Sequence, residues 1–202
     1  MYSGHFEFES PLRGRSLQDE LAQRGQKLRA EIQNTARSVI KANGDEGTYI
    51  ADLVMRYTIA LPQLDFENIQ KSERYEEIHG SQLPGEATFP DHMYRVWIVT
   101  FSLKGNGDLN LLRYVPRGGA PLSYPQVKFQ YDTFSFEVRS VTKDIEKMKQ
   151  EKERTLSFLR ERLAALLPDL EEHNRALQGN VTRLFEQQKE LFSTDKDLLD
   201  QL

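Results

Sequence analysis

TKDIEKMKQEKERTLSFLRERLAALLPDLEEHNRALQGNVTRLFEQQKELF, residues 142–192, decides how the rest of the chain is read. Its Leu, Glu, Gln, Arg and Lys favour helix. A leucine returns every seven residues, at Leu156, Leu163, Leu170, Leu177, Leu184, Leu191 and Leu198. Leu159, Leu166, Leu167, Val181, Phe185 and Phe192 widen that line into a stripe. Helical side chains three and four apart share a face, so the stripe must be buried against something. Thr142 is the expected N-cap, with Asp144 and Glu146 in a first turn where the helix dipole favours acid.

Pro168 cannot donate a backbone hydrogen bond and costs about 3 kcal/mol inside a helix. Asn174 and Gly179-Asn180 are turn or cap residues. These breaks favour a helical hairpin, about 142–172 and 178–192, the first helix being kinked at Pro168. The rival is one kinked helix that dimerises as a coiled coil. The unbroken leucine period favours the rival. A zipper, however, needs apolar residues at both core positions of each heptad, and the second set includes His173, Asn174, Asn180, Gln187 and Gln188.

Working outward, residues 16–42 read as a helix capped by Ser16, with Asp19 and Glu20 in its first turn and Asn43-Gly44 as its stop. Leu17, Leu21, Leu28, Ile32, Val39 and Ile40 form its stripe. Residues 49–61 alternate and are expected as a strand ending at Pro62. A short helix is expected at about 66–78. Met93–Leu103 is rich in aromatic and β-branched residues and is the strongest strand. Gly105-Asn106-Gly107 then turns the chain into an expected return strand, Leu109–Val115. Residues 127–131 and 134–138 alternate around a tight Asp132-Thr133 connection, which makes a hairpin. The expected fold is therefore α+β: an N-terminal helix, an antiparallel β-meander and a C-terminal long helical hairpin (or kinked coiled-coil helix). Residues 1–140 form the sheet-bearing domain. Residues 141–202 form the hairpin or arm, packed on the sheet or on a partner.

The chain has 202 residues and no cysteine, so thiolate metal sites, disulfides and cysteine nucleophiles are excluded. No apolar run nears the roughly 18 residues that would mark a membrane helix. Met1–Ser10 lacks a basic start and an apolar core, so secretion is not expected and a cytoplasmic location is. Net charge is −4. Residues 65–91 hold seven acids against two bases, whereas residues 142–192 hold ten of each. No basic face emerges, so nucleic acid is not an expected partner.

His5, His79, His92 and His173 show no metal-ligand spacing, and no metal or cofactor is expected. Gly105-Asn106-Gly107-Asp108 is flanked by expected strands rather than a strand and a helix, so it reads as a turn and not a phosphate loop. No catalytic residue is assigned. The candidate binding residues are Arg113, Tyr114, Arg117 and Tyr124, in the loop Arg113–Pro125, where two guanidinium groups and two phenols sit among glycines. Trp97 is expected in the core. The reading preferred is a non-enzymatic protein-interaction or oligomerisation module. Its association stripe is Leu156, Leu163, Leu170, Leu177, Leu184 and Leu191, and its partner a protein or a second copy. Ser193–Leu202, charged and leucine-bearing, suggests the front, sensor or scaffold part of a larger protein. The alternative is a small-ligand binder or enzyme using the Arg113–Pro125 loop and Asp91/His92.

Overall fold

The computed structural model describes residues 15–42, 44–83, 89–117, 127–130 and 132–199, with 195–199 described by backbone alone. In chain order these form α1 (Leu17–Lys41), α2 (Glu46–Tyr57), β1 (Gln63–Leu64), β2 (Gln70–His79), β3 (Met93–Asn106), β4 (Val127–Gln130), β5 (Thr133–Ser140) and α3 (Ile145–Leu199), with short 3-10 turns at Gly80–Gln82 and Leu109–Arg113. The fold is α+β. Its sheet is antiparallel throughout, with β3 at its centre. One side of β3 pairs with β5, which carries β4 outside it. The other side pairs with β2 over most of its length and with β1 at its end.

The C-terminal segment is one continuous helix of 55 residues, roughly 82 Å at 1.5 Å per residue, with Pro168 inside it. The expected hairpin is therefore wrong. Pro168 lies on the exposed face, and Gly179 and Asn180 are exposed too, so no tertiary contact compels a turn at any of them. The helix is capped by Asp144, whose carboxylate accepts the Lys147 N–H at 3.0 Å, and not by Thr142. Asp144's own N–H donates to Ser140 Oγ at 3.1 Å, which ties the helix start to the end of β5.

α3 closes two cores in succession. Its first half lays Met148, Leu156, Leu159, Leu163, Leu166 and Leu170 on one sheet face, against Val99, Leu103, Phe134, Phe136 and Val138. Its second half packs Leu177, Val181 and Phe185 against Leu28, Ile32 and Ala36 of α1 and Leu53 of α2. Each fully buried aliphatic side chain contributes about 1.5–3 kcal/mol. α1 runs alongside α3 in the same direction, so that the Arg37 guanidinium lies 5.2 Å over the Phe192 ring. α2 returns antiparallel, with Glu46 and Lys189 paired at 2.8 Å at one end. Of the association stripe, Leu156, Leu163, Leu170 and Leu177 are buried within the chain, Leu184 packs partly buried against the second core, and Leu191 is 60% exposed.

α1 begins as expected, with Ser16 Oγ accepting the Gln18 N–H at 3.1 Å. The strand expected over 49–61 is instead α2. Tyr49, Ile50, Leu53, Val54 and Tyr57 also fit a helical stripe, and they meet the second core. The Asp45 carboxylate caps that helix through the Thr48 N–H at 3.2 Å. The helix expected at 66–78 is strand β2. Its Lys, Glu and Arg residues favour helix locally, but ladder pairing with β3 overrides propensity on an exposed edge. The return strand expected over 109–115 is a 3-10 turn. Leu109, Leu111 and Leu112 are all buried, which strand alternation does not allow. It follows Gly107, whose φ of +77° suits glycine, and a Cβ there would overlap the Leu61 carbonyl oxygen.

Candidate functional site: an aromatic groove edged by lysines

β3 alternates across the sheet. Val96 and Ile98 face one side, where Leu83, Ile78, Tyr94 and Val141 cover them. Trp97, Val99 and Phe101 face the side that α3 covers. Register fixes what lies beside them on β2: Tyr75 opposite Trp97, Glu73 opposite Val99 and Lys71 opposite Phe101. α3 reaches this corner only with its first turns. Between those turns and the β2–β3 face a groove of about 620 Å³ is left, lined by Lys71, Glu73, Trp97, Val99, Phe101, Ile145, Met148, Lys149 and Lys152, with Ser72.

The floor is aromatic and the rim is cationic. The Trp97 indole N–H donates to Glu73 Oε2 at 3.2 Å, which fixes the ring. The Lys143 ammonium lies 5.0 Å from the Tyr75 ring centre and 5.1 Å from that of Trp97. Arg95 stacks 4.3 Å over the same Tyr75 ring, and Lys152 lies 5.8 Å from Phe101. Exposed cation–π contacts of this kind contribute about 0.5–1 kcal/mol each. Lys143 has φ +54°, the one described residue other than glycine with a positive φ. The left-handed conformation is unfavourable for a residue with a Cβ, and here it aims the ammonium at the two rings. Lys149 and Lys152 each hold a neighbouring glutamate, Glu146 at 2.8 Å and Glu153 at 3.0 Å, on the helix surface. Tyr75 remains 42% exposed and Ile145 56% exposed at the mouth.

β2 also contributes an edge. Among the described residues its outer side pairs with no strand, and its first six residues, Gln70–Tyr75, are exposed. Unpaired N–H and C=O groups on such an edge are a template for another extended chain. Charges along an edge also discourage indiscriminate pairing, and β2 carries Lys71, Glu73, Arg74, Glu76 and Glu77.

The opposite sheet face carries a different polar group. Glu137, with a side chain 1% exposed, is held by Arg74 at 2.7 Å and by Arg139 at 3.1 Å. Ser102 and Ser135 share a hydrogen bond of 2.8 Å beside it. This network compensates a buried charge, as buried carboxylates require.

Of the candidate loop residues, Arg113 and Tyr114 make contacts within the fold. Arg113 stacks 4.7 Å over Phe129. The Tyr114 hydroxyl donates to Glu20 Oε2 at 2.9 Å, and the Tyr114 carbonyl accepts from Arg162. Burial would raise the Glu20 carboxyl, but hydrogen bonds from Arg24 and Tyr114 outweigh it and hold the group below its ordinary value. Arg117 is exposed, and Tyr124 lies outside the described residues. Asp91 and His92 are exposed just before β3 begins, whereas Phe129, beneath Arg113, reaches β3 only through β5 near its other end. Among the described residues, Arg113 and the Asp91/His92 pair are thus held near opposite ends of β3, and residues 118–125 of the loop lie outside the described residues. Among the described residues no group of three or more His, Asp or Glu side chains could hold a metal ion. No helix among them is long and apolar enough to cross a membrane.

The groove was not legible in sequence. Lys71 and Tyr75, Trp97 and Phe101, and Lys143, Ile145, Lys149 and Lys152 come from three separate stretches. The available signal was the alternation Lys71, Glu73, Tyr75, which puts these residues on one face once 70–79 is read as strand. The chain matches no family model, no curated protein and no solved structure.

Proposed function

We propose that the protein is a non-enzymatic interaction module that docks an extended segment of a partner protein along β2 and over the groove. The observation that carries this reading is the partly exposed aromatic floor, Trp97 and Phe101, with the exposed Tyr75 ring beside it, next to a strand edge that has no neighbour among the described residues. Backbone pairing along the edge would supply affinity, and alternate side chains dipping into the groove would supply selectivity. A ten-residue strand offers an edge of roughly 33 Å. The leucine stripe is drawn mostly into the chain's own two cores, so the reading places the partner on the groove and not on the stripe.

Selection of displayed random peptides on the folded chain tests the reading. Selected binders are expected to protect the Gln70–His79 amides from hydrogen exchange and to change the fluorescence of Trp97, the single tryptophan. Binders that leave both unchanged, or that survive Trp97→Ala and Tyr75→Ala undiminished, would overturn it.

A further inference from the structure

Resting on that docking site, we infer that its partner segment is acidic, with apolar side chains at alternate positions. The charge around the groove is opposite in sign to that of the chain. The molecule carries a net −4, yet the groove lining has three lysines, Lys71, Lys149 and Lys152, against Glu73 alone, and Lys143 adds a fourth cation at its end. Glu73 holds the neutral Trp97 indole N–H and keeps its charge. Lys149 and Lys152 are paired with the helix-surface glutamates Glu146 and Glu153, so four lysines stand against three glutamates and the corner keeps a positive excess among the described residues.

The lining sorts by position. Apolar surface lies deep, as Trp97, Val99, Phe101 and Met148, and ammonium groups lie at the rim. An extended segment pairing with β2 turns every second side chain toward the groove face. Its inward residues would lie beside Lys71, Glu73 and Tyr75 on β2 and reach over them toward Trp97 and Phe101 on β3, which suits long apolar side chains. Carboxylates from a chain running along this corner would meet Lys71 on one bank and Lys149 and Lys152 on the other. A basic segment would face like charge on both banks, which is how such a surface rejects wrong partners. The left-handed backbone of Lys143 belongs to the same arrangement: it holds one cation over Tyr75 and Trp97 before any partner arrives. A single-stranded nucleic acid could also use stacked rings and lysines. The open ladder edge of β2 favours a polypeptide, because its alternating N–H and C=O groups match another strand in register, whereas a phosphate backbone could use the donors alone.

Three short peptides separate the possibilities, with Trp97 fluorescence as the readout: one alternating glutamate with phenylalanine, one lysine with phenylalanine, one glutamate with serine. The first is expected to bind at least about tenfold more tightly than the other two, and to weaken as salt rises and screens the lysines. In the Lys71→Glu/Lys149→Glu double variant, which alters exposed side chains, the order of the first two peptides is expected to reverse. Equal binding of the glutamate and lysine peptides, with β2 still protected from exchange, would overturn the acidic assignment and leave the docking site standing. Failure of all three peptides, while displayed binders still protect β2, would do the same. A single-stranded oligonucleotide that shifts Trp97 more strongly than the acidic peptide, without protecting β2, would overturn the assignment to a polypeptide.

Discussion

Asn174 hydrogen-bonds both backbone groups of Ile59: the Ile59 N–H donates to Oδ1 at 2.9 Å, and the amide nitrogen donates to the Ile59 carbonyl at 2.9 Å. A side chain in the middle of α3 thus stands in for a neighbouring strand just where the chain leaves α2. Ile59 is itself buried, so these backbone groups have little recourse to water. Asn174→Ala is expected to cost about 2–3 kcal/mol in urea unfolding, two lost hydrogen bonds with partly stranded partners. Asn174→Asp keeps the acceptor and loses the donor, and is expected to cost nearly as much. A loss under about 0.5 kcal/mol for Asn174→Ala would show that water satisfies the Ile59 backbone.

Pro168 breaks the hydrogen-bond ladder of α3 on its exposed face, where its ring makes no core contact. Pro168→Ala restores a donor and removes a steric clash, and is expected to stabilise the protein by about 1–3 kcal/mol. Differential scanning calorimetry measures it. A lower melting temperature would instead mean that the local geometry imposed by proline is needed for one helix to serve both cores.

His173 gives acid sensitivity with a defined sign. Burial first, and then the positive Arg24 nearby, hold its pKa below the ordinary 6.5. As pH falls through 6.5 the unfolded chain takes up the proton before the folded one, so stability declines with acid below that value and is unaffected by this group above it. His173→Gln is expected to flatten the fall in urea midpoint between about pH 7 and pH 5.5. An unchanged slope would refute the assignment.

Glu137 is the buried charge on the far sheet face, and its two arginines are each a third or more exposed. Either Arg74→Met or Arg139→Met alone is expected to cost about 1 kcal/mol, because one partner remains. Both together strand the carboxylate and are expected to cost about 3–5 kcal/mol. Adding Glu137→Leu to the pair should recover most of that loss. Chemical denaturation of the four variants reads the series, and simple additivity of the two arginine changes would contradict it.

What could be read from the sequence followed from how strongly each segment's pattern excluded the alternative. α1 has a cap and a long stripe, and β5 alternates Phe134, Phe136 and Val138 without interruption; both stand as expected. Residues 49–57 satisfy two periods at once, and only the partner surface on α1 and α3 decides for helix. β2 is mostly charged because one face and one edge meet solvent, so its strand character resides in β3 and not in its own composition. The leucine stripe announced burial but not its recipient, which turns out to be two different cores for the described leucines from Leu156 to Leu177. The groove was hidden for a related reason: its lysines look like ordinary helix and strand surface until register and the start of α3 set them around Trp97.

That one helix closes both cores sets an order of events during translation. The sheet and the α1–α2 pair are complete in sequence by Ser140, yet the side chains that cover them, Leu156 to Phe185, emerge later. Until then two greasy surfaces stand open on the ribosome, each waiting for the same late segment. Nascent chains stalled before that segment has left the exit tunnel should therefore be bound by chaperones and cut by proteases, and emergence of α3 should protect both halves at once.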